Sequence, residues 1–255
     1  MYPILFSVPG LDVSVGSFGA MMSLGFLAAY FLTRRALPNY GIDPRIAPSI
    51  LALTVFGGVL GAKVYYATDM LAREGGPWLG YFLRPGGLTW YGGLLGGVLG
   101  AWIGSLLYGI RFSALLDAGA IAVPVGQALG RLGCFLVGDD YGIKSNVPWA
   151  LAFRKGMPPT LELVHPAQLY ELTWLLIVAA FLTGRRNRSP RIFAEYLVAN
   201  GLGRFFIEYI RVNPTLALGL SEPQWIAVGM IVGGARWWSL SRTNSTTRPS
   251  DWVLD

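Results

Sequence analysis

Apolar stretches of hydrocarbon length recur from one end of this chain to the other, and a bilayer is the solvent in which such a pattern folds. A helix needs about 20 largely apolar residues to cross the hydrocarbon core, and about seven stretches qualify. They run over Gly16–Leu32, Ile50–Tyr66, Leu88–Tyr108, Ala114–Arg131, Ala167–Leu182, Ile192–Ile210 and Gln224–Trp238. Only 13% of the residues are charged, against about a quarter in soluble domains. The expected fold is an all-α integral membrane protein. It comprises a single polytopic domain over 1–241, with a long external loop near 133–164 and a polar cytoplasmic tail over 242–255.

Basic residues orient the spans. Arg34, Arg35 and Arg45 follow the first, Arg111 the third, and Arg185, Arg186, Arg188 and Arg191 the fifth; Arg242 and Arg248 follow the seventh. The alternate segments hold fewer, so the N-terminus is expected outside and the C-terminus inside. The net charge of +6 falls largely in loops, which fits membrane lipid as a partner and not nucleic acid. The first sixteen residues lack a basic leader before their apolar run, so the first helix reads as retained. One cysteine, Cys134, and one histidine, His165, leave no internal disulfide and little for a classical metal site; no metal or cofactor is expected.

Polar residues inside such spans are costly and mark function. Val123–Tyr141 carries Arg131 and then the pair Asp139-Asp140. HPAQLYE supplies His165, Gln168 and Glu171 at near-helical spacing, with Tyr170 to one side and His165 as either a site residue or a helix cap. GRFFIEYIR places Arg204, Glu208 and Arg211 on one stripe, and Lys63 on the second span reads as snorkelling to an interface. Two guanidiniums in a chain with few acids call for an anion between them, and phosphate suits the bidentate fork. The glycines of GGLTWYGGLLGG fit close helix packing. Their density around Trp90 and Tyr91 also fits a cavity with room for a bulky ligand. The residues alone lead to a phospholipid site without a reaction.

These same motifs, GGLTWYGGLLGG, GRLGCFLVGDDYG, HPAQLYE and GLGRFFIEYIR, in this order and spread over nearly the whole chain, resemble the prolipoprotein diacylglyceryl transferase family. The resemblance implies a seven-helix enzyme of the bacterial inner membrane. Its reaction moves the diacylglyceryl group of phosphatidylglycerol to the lipobox cysteine of a prolipoprotein signal peptide, leaving a thioether and glycerol phosphate. It implies that Arg131 binds phosphatidylglycerol, that Arg204 lies near the leaving phosphate, that Arg211 is a third family arginine, and that Gly142 ends the signature. Glu208 and Asp139 join the expected substrate-binding set, and Tyr91 and His165 the catalytic one. The chain departs from the family pattern at Tyr91, where a histidine is usual, at Cys134 and Val137, where asparagines are usual, at Asp139 for glutamate and at Phe18 for tyrosine. Tyr91, with an ordinary pKa near 10, is a poor base without tuning. A paralogue that holds anionic phospholipid without the transfer therefore stays open as the alternative. A small-solute transporter does not fit, since the two halves show no inverted repeat.

Overall fold

The computed structural model describes residues 2–8, 13–84, 86–186 and 191–243. Arg188, Arg248 and the tail from 244 lie outside the described residues. The chain divides into two compact units, one of residues up to Thr33 and from Gly119 onward, the other of Arg34–Ala118.

In the second unit, α2 (Ala47–Glu74), the short α3 (Trp78–Leu83) and α4 (Trp90–Leu107) are followed by α5 (Phe112–Gly119), which ends at the unit's boundary. Asp43 accepts from the Arg45 backbone N–H at 2.8 Å and starts the turn that leads into α2. The glycines of α2 and α4 repeat every fourth residue and face one another. A Cβ at Gly57, Gly61, Gly92, Gly96 or Gly100 would strike backbone of the opposite helix. These two helices therefore touch along bare backbone, the arrangement small residues permit in membranes. This corrects the cavity reading: those glycines are filled by helix contact and leave no ligand room. Trp90 is 63% exposed and Tyr91 stands between it and Tyr65 at 5.2 and 6.4 Å between ring centroids. Lys63 does not simply snorkel. Its Nζ donates to the carbonyls of Arg84, at 2.6 Å, and Gly86, and Thr89 Oγ1 donates to Ala62 O at 3.1 Å, so the segment entering α4 is pinned to α2.

The first unit holds α1 (Ser17–Ala36, its last turn crossing the unit boundary), α6 (Ala122–Val137), α7 (Ala167–Arg185), α8 (Ile192–Ile207) and α9 (Glu222–Thr243). An N-terminal hairpin, β1 (Ile4–Val8) and β2 (Val13–Gly16), is antiparallel with an irregularity between Ile4 and Phe6. The expectation of an all-helical chain thus needs one correction. The cause is visible in the alternation of Val13, Ser14 and Val15, too short to register beside the long apolar runs. Tyr2 N donates to Leu136 O at 2.9 Å, placing the hairpin at the C-terminal end of α6.

Span four also needs correcting. It breaks at Ala120–Ile121 because Pro124 has no N–H to give the Ala120 carbonyl, and α6 then continues past Arg131 to Val137. Gly130 and Gly133 do not end the helix. A Cβ at Gly133 would lie 3.1 Å from Met21 Cβ, so this glycine admits α1, and the helix is capped instead by Gly138 in the left-handed region, φ 79°. The segment after it is ordered around Phe153, fully buried and stacked on Tyr141 at 5.2 Å.

Six of the expected spans each fall largely on one helix and the fourth on two. Among the described residues three helices are long and apolar enough to cross a membrane: α2 with the turn before it, α4 and α7. The broken pair α5 and α6 makes a fourth if taken as one span. α8 falls short at 16 residues with Glu195, Asn200 and Arg204 among them. If α2 and α4 are joined along backbone, Gly96→Ala lowers the melting temperature in detergent by an overpacking cost of about 1–3 kcal/mol. Gly93→Ala, whose Cβ would sit 3.7 Å from the nearest atom, leaves it within error; equal melting of the two variants contradicts this packing.

Candidate active site

Five stretches of chain meet at one level of the first unit: the C-terminal half of α6, the last turn of α8, the second turn of α7, the turn after α6, and the segment after α8. α6 and α8 bring Arg131 and Arg204, α7 brings Glu171, and the two segments bring Asp140 and Arg211. Glu171 is the hub. Its Oε1 accepts from Arg204 Nη1 at 2.7 Å and from Arg211 Nη1 at 3.0 Å, and its Oε2 pairs with Arg131 Nε. Asp140 forms the outer bridge, with Arg131 Nη1 at 2.9 Å and Arg211 Nη2 at 3.0 Å. Glu208, only 4% exposed, lies 3.1 Å from Arg204 through an oxygen held by charge and not by hydrogen-bond geometry. Its other oxygen accepts from Asn213 Nδ2 at 2.6 Å and Ser221 Oγ at 2.9 Å.

Three guanidiniums thus face three carboxylates. The anion inferred between Arg131 and Arg204 is supplied by the protein itself, a correction to the argument that phosphate must neutralise them. Glu171 was visible in HPAQLYE, yet nothing in local spacing places it against arginines 40 residues or so away. A guanidinium has five N–H donors, so the cage leaves some of them unused. Accessibility separates the arginines: the side chains of Arg131 and Arg204 keep 25% and 22% exposure, whereas Arg211 keeps 7%. A cavity of about 240 Å³ lined by Asp140, Tyr141, Pro158, Arg211, Val212 and Asn213 adjoins the outer bridge.

Close backbone contacts hold the cage. Gly142 N donates to His165 O at 2.9 Å, Ile143 N donates to Ile210 O at 2.8 Å, and Gly142 pairs antiparallel with Arg211. A Cβ at Gly142 would reach Ile210 O at 2.5 Å, so only glycine lets the two segments approach. Gly203 likewise admits the indole of Trp174, whose Nε1 donates to Ala199 O at 3.0 Å. Gln168, fully buried, donates to the Asp139 carbonyl.

Among the described residues no ion pair joins Asp139 to the arginines, and its Oδ1 is buried without a hydrogen-bond partner. Burial holds its carboxyl above the usual range, aided by the neighbouring Asp140. Burial acts in the same direction on Asp140, but Arg211 and Arg131 outweigh it and hold that carboxyl below its ordinary value. Asp140 adopts φ 59°, a left-handed conformation that aspartate tolerates better than most residues, and this turn swings its carboxylate back to the cage. Of the pair that the sequence sets beside Arg131, Asp140 engages the arginines and Asp139 does not. Cys134 Sγ and one oxygen each of Asp139 and Asp140 lie within 4.8 Å of one another, but Asp140 is committed to two arginines, which does not fit a cation site.

His165 is no helix cap: α7 starts at Ala167, and His165 Nδ1 lies 3.1 Å from Tyr170 Oη. Trp149 Nε1 donates to that hydroxyl at 2.6 Å. An indole N–H can only donate, so the Tyr170 hydroxyl accepts from Trp149 and shares a further hydrogen bond with His165 Nδ1. Tyr91 belongs to the other unit, and Val137 closes α6 beside the capping glycine.

Residues 3–240 match the family model described as prolipoprotein diacylglyceryl transferase. The chain belongs to that family. A relative in Gloeobacter violaceus, named phosphatidylglycerol–prolipoprotein diacylglyceryl transferase, is 29% identical over 94% of this chain and 96% of its own length. Relatives of the same name occur in Geobacter sulfurreducens, 35% identical over 80% of each chain, and in Frankia casuarinae, 31% identical over 93% of this chain. The chain spans 60% of the Frankia protein's length.

The depressed pKa of Asp140 sets a pH test. A carboxyl held below its unfolded value of about 3.9 stabilises the fold fully above that value and loses the effect as pH falls through the depressed one. Asp140→Asn therefore melts below the wild type at neutral pH, and the gap closes below about pH 4. A gap independent of pH contradicts the ion pairs.

Proposed function

We propose that this protein transfers the diacylglyceryl group of phosphatidylglycerol to the lipobox cysteine thiol of prolipoproteins. It does so as a seven-span enzyme of the bacterial inner membrane, with its N-terminus outside. The observation that carries the reading within its family is the cage: two partly exposed arginines held rigid on one internal carboxylate, at the end of the helices where the chain's longest loop folds over.

In the reaction the thiolate sulfur attacks the glycerol carbon that bears the phosphate. A carbon–sulfur bond forms, the carbon–oxygen bond breaks, and glycerol phosphate leaves with the electron pair. Charge grows on the phosphate as that bond lengthens, and preorganised cations there lower the barrier. Arg131 and Arg204 bind the phosphate through N–H edges that Glu171 does not occupy. Arg211, nearly sealed, positions Glu171 and Asp140. Glu208 fixes Arg204 to the start of α9, and Gly142 sets the approach of Arg211. Asp139 holds the turn by its carbonyl.

The thiol must lose its proton, since the thiolate is the nucleophile. His165 takes it through Tyr170: the phenol gives its hydrogen to Nδ1 as it receives the thiol's. Tyr91, where the family usually has histidine, is too weak a base to take that proton alone.

In proteoliposomes of purified protein, phosphatidylglycerol and a lipobox peptide, the peptide gains the diacylglyceryl mass. Arg131→Ala and Arg204→Ala each lower the rate by at least about 100-fold, the scale of losing a transition-state charge partner. The lysine variants recover little, because an ammonium cannot fork. Retained phosphatidylglycerol with no mass gain in the wild type contradicts the transfer and favours a lipid-holding paralogue.

A further inference from the structure

One helical turn below the arginines lies a second polar layer. Gln127 precedes Arg131 by four residues on α6, and Asn200 precedes Arg204 by four on α8. Four residues advance a helix by about 6 Å and return to the same face. The two layers therefore face the same interhelical space, the upper joined through Glu171 and the lower through Tyr196. The Tyr196 hydroxyl donates to Gln127 Oε1 at 3.0 Å and accepts from Asn200 Nδ2 at 3.1 Å. Tyr196 is 4% exposed, whereas Gln127 is exposed.

This ordering fixes what the layer offers. With its oxygen held by Tyr196, the Gln127 amide presents its NH₂ outward. Among the described residues that NH₂ and the Asn200 oxygen have no hydrogen-bond partner. An unpaired donor at hydrocarbon depth is costly, and acyl tails hold no acceptor for it. A network meant only to join helices would turn its polar atoms inward; this one keeps a donor on the open side.

We propose that Gln127, oriented by Tyr196 and Asn200, is the subsite for an ester carbonyl of the glycerolipid whose phosphate the arginines hold. The match is chemical and positional. An ester carbonyl accepts hydrogen bonds and cannot donate, so it suits an NH₂. A glycerophospholipid separates its phosphate from its ester carbonyls by a short glycerol arm of comparable reach to the step between the two layers. Gln127 thereby reads the ester linkage and sets the depth at which the lipid sits, which places the carbon under attack. The inference rests on the phosphatidylglycerol reading above.

The test compares diester phosphatidylglycerol with its diether analogue of equal chain length, which keeps the phosphate and headgroup but has no ester carbonyl. The two compete for purified protein in detergent, and native mass spectrometry reads the retained ratio. Transfer to a lipobox peptide is read separately in proteoliposomes. The wild type retains the diester over the diether by about fivefold, about 1 kcal/mol, the worth of one hydrogen bond to an uncharged group. In Gln127→Leu the ratio falls to near one, and Tyr196→Phe, which frees the amide to rotate, gives an intermediate value. A wild-type ratio near one, or a Gln127→Leu ratio that stays near fivefold, overturns the subsite. The wild-type ratio needs no variant, so a destabilised variant does not protect the proposal. Absence of transfer alongside a retained ester preference overturns the transferase reading and leaves the subsite standing.

Discussion

The Glu171 carboxylate is the interaction on which the rest of the first unit depends. Three guanidiniums from α6, α8 and the segment after α8 converge on it, and like charges held so close need an anion between them. Breaking a buried pair by removing one partner costs on the order of 3–5 kcal/mol, because the remaining charge is left uncompensated. Six charged groups coupled in this way behave as one unit. Each arginine is thereby fixed in place by carboxylates of the chain itself.

Glycine supports the cage by allowing backbones to meet. Gly142 brings the turn after α6 against Ile210 and Arg211, Gly203 lets Trp174 lock α7 to α8, and Gly25 brings α1 against Gly126. In the second unit the same device joins α2 and α4. The chain thus uses its many glycines mainly as contact surface, which suits a medium in which burial of apolar side chains gives no advantage.

Much of this was legible in the sequence. Hydrocarbon length and proline punctuation put the expected spans on helical structure, span four on two helices. The i, i+4 spacing of Arg204 and Glu208 matches their pairing, whereas Arg211 lies past the helix in an extended segment. Two things were hidden. One is the helix past Arg131, since the role of Gly130 and Gly133 depends on the neighbour they admit, and that neighbour, α1, lies about a hundred residues upstream. The second is the set of partners of Arg131, of which only Asp140 lies nearby in the sequence. The Asp139 carboxylate turns away into a buried site, the left-handed backbone of Asp140 turns the next one back, and the hub comes from a different helix. Long-range pairing of charges leaves no local period to read.

The most direct test of Glu171 as the internal anion is the lipid dependence of melting in Glu171→Gln. The substitution keeps shape and one acceptor while leaving the three arginines with a positive excess. The account predicts that the variant melts well below the wild type in zwitterionic phosphatidylcholine, and that phosphatidylglycerol restores much of the loss by placing a phosphate among the arginines. The wild type, already neutral, gains far less. Equal melting of the two proteins in both lipids would show that the arginines do not depend on Glu171 and would contradict the account.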